Sequence, residues 1–200
     1  MKSHIQRGTA ALSLALVVGL LVAGCASDAP GAPETGAAAP IVIGSVSSIT
    51  GPAPFPEVPG AAQAVFDRVN AEGGINGRQI KFLSEDDGAD PAQAAQAARR
   101  LIQEDGVVAM VGSASLVECS ANASFYAKSD VVSIMGTGVE PACFTAQNIA
   151  PVNNGTVPGY ASLLYFASEV LGHEKVCPVI LNSAGLTDPY LEVIKRWEKE

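Results

Sequence analysis

Short apolar runs alternate with amphipathic stretches along most of this chain. The apolar runs fall at residues 41–46, 79–85, 107–111, 131–134 and 175–182, and each predicts a strand. The stretches that predict helices begin near Gly60, Pro91, Leu116, Thr156 and Asp188. Because strand and helix alternate with short connections, the pattern indicates an α/β fold with a parallel, doubly wound sheet.

Several details of packing also follow from this pattern. In the first helix Ala61, Val65 and Val69 recur every four residues, with Ala62 and Phe66 beside them, and together they predict one apolar stripe. Asp90 is placed as the N-cap of the second helix, with Pro91 at its first position. The face of that helix predicted to be buried consists of Ala94, Ala97, Ala98, Leu101 and Ile102. Residues 143–154 show no clear period and predict a connection, and Leu191, Ile194 and Trp197 are expected to point inward from the last helix.

Polar turns follow two of the predicted strands. Gly112, Ser113 and Ser115 follow the strand at 107–111, and Gly136, Thr137 and Gly138 follow the strand at 131–134. In an open parallel sheet both turns lie at the carboxyl edge, where small ligands bind. We therefore expect one wall of a ligand-binding cleft there. Its polar contacts would come from Ser113, Ser115, Thr137 and Gly138, and its apolar contacts from Phe55 and Leu116.

The N-terminus predicts export. Lys2 and Arg7 precede the apolar residues 10–22, which are too few for a comfortable membrane span. Small residues lead directly into Cys25, so residues 1–24 resemble a bacterial lipoprotein signal, and cleavage would leave Cys25 as the lipidated first residue. An ordinary secretory signal with an incidental cysteine is the alternative. Residues 25–40 would carry the lipid anchor and a flexible linker at the outer face of the cell membrane or on its periplasmic side.

Charge and cysteine content narrow the possible partners. Removing residues 1–24 takes away two basic residues and changes the net charge from −8 to −10, which argues against nucleic acid and anionic lipid as partners.

Export permits a disulfide, and Cys119 and Cys143 each lie near a carboxyl-edge turn and could pair. Cys177 lies in an apolar run and is expected to be a buried thiol.

Neither a metal nor a cofactor is expected. No cysteine–histidine spacing indicates zinc. The acidic cluster within residues 85–90 invites a metal hypothesis, but helix capping and a turn at a strand end account for it.

The order and spacing of residues 41–52, 72–78, 85–91 and 107–141 resemble the Leu/Ile/Val-binding protein family, the extracytoplasmic substrate-binding subunits of branched-chain amino-acid-type ABC transporters. The resemblance covers residues 41–200 and implies a type I periplasmic-binding fold. Residues 41–156 would form most of the first α/β lobe, residues 157–200 would begin the second, and both lobes would be completed beyond residue 200. It also implies that an amino acid or related small organic solute is captured between the lobes and delivered to ABC permease subunits.

The match departs from the family at the amino-acid clamp. An ungapped match places Leu116 and Val139 where the family has a serine and a threonine. Phe55 replaces a cleft tyrosine, and Leu186 occupies another aromatic position. We therefore expect leucine, isoleucine and valine to bind weakly or not at all.

Three functions are alternatives to solute transport. The same fold could sense a ligand and signal to a membrane receptor or kinase, or a lobe remnant could persist as a surface interaction protein. A hydrolase acting through Ser115 would need a base from outside this segment, since His173 lies at a predicted helix end and no Gly-x-Ser-x-Gly motif occurs. An enzyme is therefore not expected.

Overall fold

A computed structural model of the chain describes residues 38–182 and 187–199. Five parallel strands form one sheet in the order β2-β1-β3-β4-β5. The strands are β1 (Ile41–Ser47), β2 (Ile80–Asp86), β3 (Ala109–Val111), β4 (Ser133–Met135) and β5 (Ile149–Pro151). The helices are α1 (Glu57–Ala71), α2 (Pro91–Arg99), α3 (Glu118–Lys128), α4 (Pro141–Thr145), α5 (Thr156–Tyr165) and α6 (Thr187–Trp197). The predicted parallel α/β fold is confirmed.

Two helices continue into a π-helical turn. Arg100–Glu104 extends α2, and Phe166–Val170 extends α5. The main core lies between the sheet and the pair α2 and α3, where Met110 and Met135 are fully buried.

The predicted start of α2 is confirmed. The Asp90 carboxylate accepts hydrogen bonds from the backbone N–H groups of Ala92 and Gln93, at 2.7 and 2.9 Å. Most of the predicted apolar face is also confirmed: Ala94, Ala97, Ala98 and Leu101 are buried, whereas Ile102 is half-buried.

The predicted stripe of α1 is confirmed only in part. The helix begins at Glu57 rather than near Gly60, and Ala61 and Val65 are exposed, Val65 to 48%. The side turned toward the sheet carries Phe66, whose ring lies 5.1 Å from the ring of Phe82 on β2. Because an aromatic ring buries more apolar area than a valine, the contact of Phe66 with Phe82 leaves Val65 on the solvent side.

The prediction of a connection over residues 143–154 was also wrong. This segment contains most of α4 and all of β5, whose three residues pair with β4. A three-residue strand is too short to show a period, so only its pairing with β4 reveals it.

The segment at 175–182 corrects two further predictions. It forms no strand, because no described strand lies beside it to pair with its backbone, and Val179 is 90% exposed. Cys177 is consequently an exposed free thiol rather than a buried one.

Helices α5 and α6 pack mainly on each other, with the rings of Tyr160 and Tyr190 5.0 Å apart. Leu191 is 40% exposed, contrary to prediction, and Ile194 and Trp197 are half-buried. Residues Ala37–Glu200 form one compact unit, and the lobe boundary after residue 156 stays a prediction.

The leader, Cys25 and Leu186 lie outside the described residues. Of the helices that the structure describes, none combines the length and the apolar character needed to cross a membrane.

Candidate functional site

Three βα corners meet at the carboxyl edge of the sheet. Ala114, after β3, accepts a 2.8 Å hydrogen bond from the backbone N–H of Ser48, after β1. On its other side Ala114 forms a parallel β-bridge with Thr137, after β4. The two polar turns singled out in the sequence are therefore neighbours at one edge, joined to a third corner.

The six predicted site residues differ in their access to this edge. Thr137 and Phe55 are partly exposed, whereas Ser113, Ser115, Leu116 and Gly138 are buried. In this conformation only Thr137 and Phe55 of the six reach the surface. Solute contact stays a prediction for all of them.

The two buried serines hold the loops of the edge together. The Ser113 hydroxyl oxygen accepts a hydrogen bond from the Val46 backbone N–H at 3.2 Å. The Ser115 hydroxyl oxygen accepts from the backbone N–H groups of Val117 and Glu118, at 3.0 and 2.9 Å, and the Ser115 hydroxyl donates to Asp87. Both hydroxyls thus have partners within the fold.

Asp87, directly after β2, is fully buried, and its carboxylate links the corners after β1 and β3. One carboxylate oxygen accepts hydrogen bonds from the Ser48 hydroxyl at 2.7 Å and from the Ala89 backbone N–H at 2.8 Å. The other oxygen accepts from the Ser115 hydroxyl. In the sequence Asp87 is one of several acids in a strand-end turn, and nothing in its neighbours indicates that it alone faces inward.

The other acids of this cluster also have structural partners. Partial burial raises the pKa of Asp86, but hydrogen bonds from the Thr50 side chain and from the backbone N–H groups of Gly88, Thr50 and Ile49 outweigh it and lower the pKa below its usual value. Glu85 forms an ion pair with Arg100, and Asp90 caps α2. These contacts account for the acidic cluster without a metal.

Glu118, in the first turn of α3, is a second fully buried acid near Asp87. One of its carboxyl oxygens accepts a 2.7 Å hydrogen bond from the Tyr126 hydroxyl, and the other has no hydrogen-bond partner among the described residues. Burial raises the pKa of Glu118 to about 8, opposed by the Tyr126 hydrogen bond and reinforced by the charge of Asp87. At neutral pH the Glu118 carboxyl is therefore mainly protonated.

Asn153 joins the corner after β4 to the segment after β5. Its side-chain oxygen accepts from the Gly138 backbone N–H, and its side-chain nitrogen donates to the Gly138 carbonyl, both at 2.9 Å. A Cβ atom at Gly138 would lie 2.6 Å from the Cβ of Pro151, so only glycine fits without a shift. From the sequence, Asn153 could be a hinge or cleft residue, but the polarity of its loop alone explains it.

A disulfide between Cys119 and Cys143 links α3 to α4, with a Cα–Cα distance of 5.1 Å. Glu140 lies beside it and accepts a 3.1 Å hydrogen bond from the Ser120 backbone N–H, while burial raises the pKa of Glu140. Because the two sulfurs are bonded to each other, they do not offer thiolate ligands to a metal.

A largely apolar cavity of about 410 Å³ lies beside the Gly138 corner. Its walls come from α4, residues 154–158 and α6, and they include Val139, Phe144 and Arg196. None of the six predicted site residues lines it.

Comparison with known proteins identifies the fold. The sequence profile of the periplasmic binding protein family matches residues 40–199. An amino acid binding protein of Pseudomonas aeruginosa is 39% identical over 114 residues, which cover 56% of this chain and 27% of that protein. The chain thus spans about a quarter of the length of this relative.

Two solved structures show the same fold. The branched-chain amino acid transporter substrate-binding protein of Streptococcus pneumoniae, in complex with isoleucine, has a TM-score of 0.67 at 22% identity, covering 78% of this chain and 46% of that one. A solute-binding protein of an ABC transporter from Rhodopseudomonas palustris, in complex with 4-hydroxybenzoate, has a TM-score of 0.63 at 18% identity, covering 80% and 44%. The chain belongs to the periplasmic binding protein family.

Proposed function

We propose that this chain is part of an extracytoplasmic solute-binding lipoprotein, which captures a small organic solute between two lobes and delivers it to an ABC importer. The observation that carries the proposal is the convergence of the corners after β1, β3 and β4 at one carboxyl edge, in a chain of this family. Solute contacts made only in the closed form would shift the equilibrium between open and closed lobes, and a permease would recognise the closed form. Such a role needs no catalytic residue.

The proposed solute is an amino acid or a related small organic compound. The similar proteins named above are described as binding an amino acid, isoleucine or 4-hydroxybenzoate. In this chain Leu116 and Val139 are buried apolar residues at the edge, whereas the Thr137 side chain is partly exposed. The wall therefore has few polar side chains that could bind the ammonium and carboxylate groups of an amino acid. This supports weak or absent binding of leucine, isoleucine and valine.

Membrane attachment through Cys25 is a separate part of the proposal. Acyl chains on this cysteine would each contribute roughly 0.8 kcal/mol per buried CH₂ group, which is enough for stable anchoring when several chains are present. A Cys25→Ala protein is expected to leave the membrane fraction, as measured by fractionation of cells that express it. Retention of that protein in the membrane fraction would contradict lipid anchoring.

Solute binding at the predicted wall can be tested by filling the site with a bulky side chain. A thermal-shift screen of the full-length protein against amino acids, amides, aromatic acids and polyamines is expected to reveal a stabilising solute. A solute at about 100 times its Kd stabilises a protein by roughly 2.7 kcal/mol. Thr137→Trp places a large ring at the partly exposed position of the wall and is expected to abolish that shift.

Ser124→Trp is the matched control, because Ser124 is exposed on α3. It should leave the solute-induced shift unchanged. An undiminished shift in Thr137→Trp would count against this wall, and micromolar calorimetric binding of leucine, isoleucine or valine would contradict the proposed selectivity.

A further inference from the structure

We infer that Asp87 is a positioning residue for the proposed solute site, whose buried carboxylate sets the spacing of the corners after β1 and β3, and through Ala114 that of Thr137 after β4. The inference rests on the proposed function. It concerns a side chain that no solute touches, because Asp87 is fully buried and its described hydrogen bonds are all internal.

Ser115 uses its full hydrogen-bonding capacity within the fold. A hydroxyl group has one proton to donate and two lone pairs that can accept. Both lone pairs of Ser115 are used by the backbone N–H groups of Val117 and Glu118. The hydroxyl proton must therefore go elsewhere, and it goes to Asp87.

Ser48 repeats this arrangement on the corner after β1. Its hydroxyl oxygen accepts a 3.2 Å hydrogen bond from the Leu116 backbone N–H, and its proton goes to Asp87 at 2.7 Å. Three consecutive backbone N–H groups, at residues 116–118, are thus held by two hydroxyls that both donate to one carboxylate. The side chain at position 87 must therefore accept a hydrogen bond at each of its two terminal atoms, as the two oxygens of a carboxylate do.

The corners fixed in this way carry the residues that reach the surface. The Ser48 carbonyl accepts a 2.8 Å hydrogen bond from the Phe55 backbone N–H. Ala114, next to Ser115, is the residue bridged to Thr137. A shift of either serine is therefore transmitted through the backbone to Phe55 or to Thr137.

Asparagine at position 87 has nearly the same shape but offers one accepting oxygen and one donating NH₂ group. If the oxygen keeps the bonds to Ser48 and Ala89, the NH₂ group faces a Ser115 hydroxyl whose lone pairs are already used. A donor then meets a donor in a buried place, which is a costly arrangement. We expect the entry to α3 to loosen in Asp87→Asn.

The experiment measures amide hydrogen exchange by NMR in full-length wild type and in Asp87→Asn. Exchange of the Leu116, Val117 and Glu118 amides is expected to accelerate at least about tenfold more than exchange of the Ala97 and Ala98 amides in α2. The matched control is Asp90→Asn, which removes a charge from the same loop but keeps an N-cap acceptor. It should leave both sets of amides close to wild type.

A second arm measures binding of L-isoleucine and of 4-hydroxybenzoate by calorimetry. Any affinity seen in wild type should fall at least about tenfold in Asp87→Asn, under conditions where that variant is folded, and should persist in Asp90→Asn. Equal acceleration of exchange in α2 and at residues 116–118 would show that Asp87 stabilises the whole fold rather than positioning the wall. Unchanged affinity despite local loosening would likewise overturn the inference.

The two proposals fail in different ways. If wild type binds neither compound, these solutes are excluded from the proposed function, and the exchange measurement still decides whether Asp87 positions the wall. If Asp87→Asn does not fold, Ser48→Ala removes one of the donors to the carboxylate and is measured in the same manner. Local loosening around Leu116 then supports the inference, and its absence overturns it.

Discussion

The protein is expected to lose stability as pH rises from about 5 to about 8, and replacing Glu118 by glutamine is expected to make this loss much smaller. Burial raises the folded-state pKa of Glu118 to about 8, from an ordinary value of 4.5. Between those two values the unfolded chain gives up the Glu118 proton while the folded protein keeps it. The folded state therefore binds more protons, and its stability falls with pH across this range.

The expected size follows from the same linkage. Each pH unit in the range costs about 1.4 kcal/mol, so the loss attributable to Glu118 is roughly 4 kcal/mol between about pH 5 and 8. Below the unfolded-state pKa the stabilisation is complete, and above about pH 8 this group adds no further slope. Glutamine does not titrate, and its oxygen still accepts from the Tyr126 hydroxyl.

Urea unfolding of wild type and Glu118→Gln at several pH values tests this expectation. Glu140 also has a raised pKa and its charge acts on Glu118, so the difference between the two slopes reports the titration of Glu118 together with this coupling. Glu57→Gln, at an exposed position of α1, is the control and should keep the wild-type slope. If the free energy of unfolding of Glu118→Gln fell as steeply with pH as that of wild type, Glu118 would not be buried and protonated in the folded protein.

Cys143→Ala is expected to lower the free energy of unfolding by about 3 kcal/mol, because the disulfide to Cys119 closes a loop across 24 positions of the chain and restricts the unfolded ensemble. For a unit of this size the loss corresponds to a decrease in Tm of roughly 10 °C. The loss should also appear when wild type is unfolded in the presence of a thiol reductant.

Cys177→Ala is the matched control for this experiment, since Cys177 is an exposed free thiol. Its Tm should equal that of wild type under oxidising conditions. Equal Tm values for Cys143→Ala and Cys177→Ala would mean that the Cys119–Cys143 link adds nothing to stability.

Glu118 and the Cys119–Cys143 disulfide lie in one region of the fold. The disulfide joins α3 to α4 beside the corners, and Glu118 lies in the turn of α3 that Ser115 holds. Asp87 and Glu118 are both buried there, yet the bonded partners of Asp87 are all donors, whereas one Glu118 oxygen has no described partner. Different surroundings thus give two neighbouring carboxyl groups different hydrogen-bonding roles.

The sequence by itself determined the alternation of strand and helix, and hence the parallel α/β sheet. It also determined the start of α2, because Asp90 and Pro91 act within one turn of the chain. The placement of two polar turns at one edge followed for the same reason, since parallel strands carry their carboxyl ends to the same side. Each of these features depends on local chemistry or on a period that several residues share.

The tertiary structure decided which side chains face inward where the local pattern was ambiguous or too short. Val65 is exposed while Phe66 of the same stripe faces Phe82, β5 exists through its pairing with β4, and Cys177 is exposed because no described strand pairs with its segment. Ser115 and Asp87 lie 28 positions apart in the chain, and no local pattern encodes the hydrogen bond between them. Long-range packing therefore determined the hydrogen-bond network of the site, because burial and hydrogen-bond partners depend on residues that are distant in the sequence.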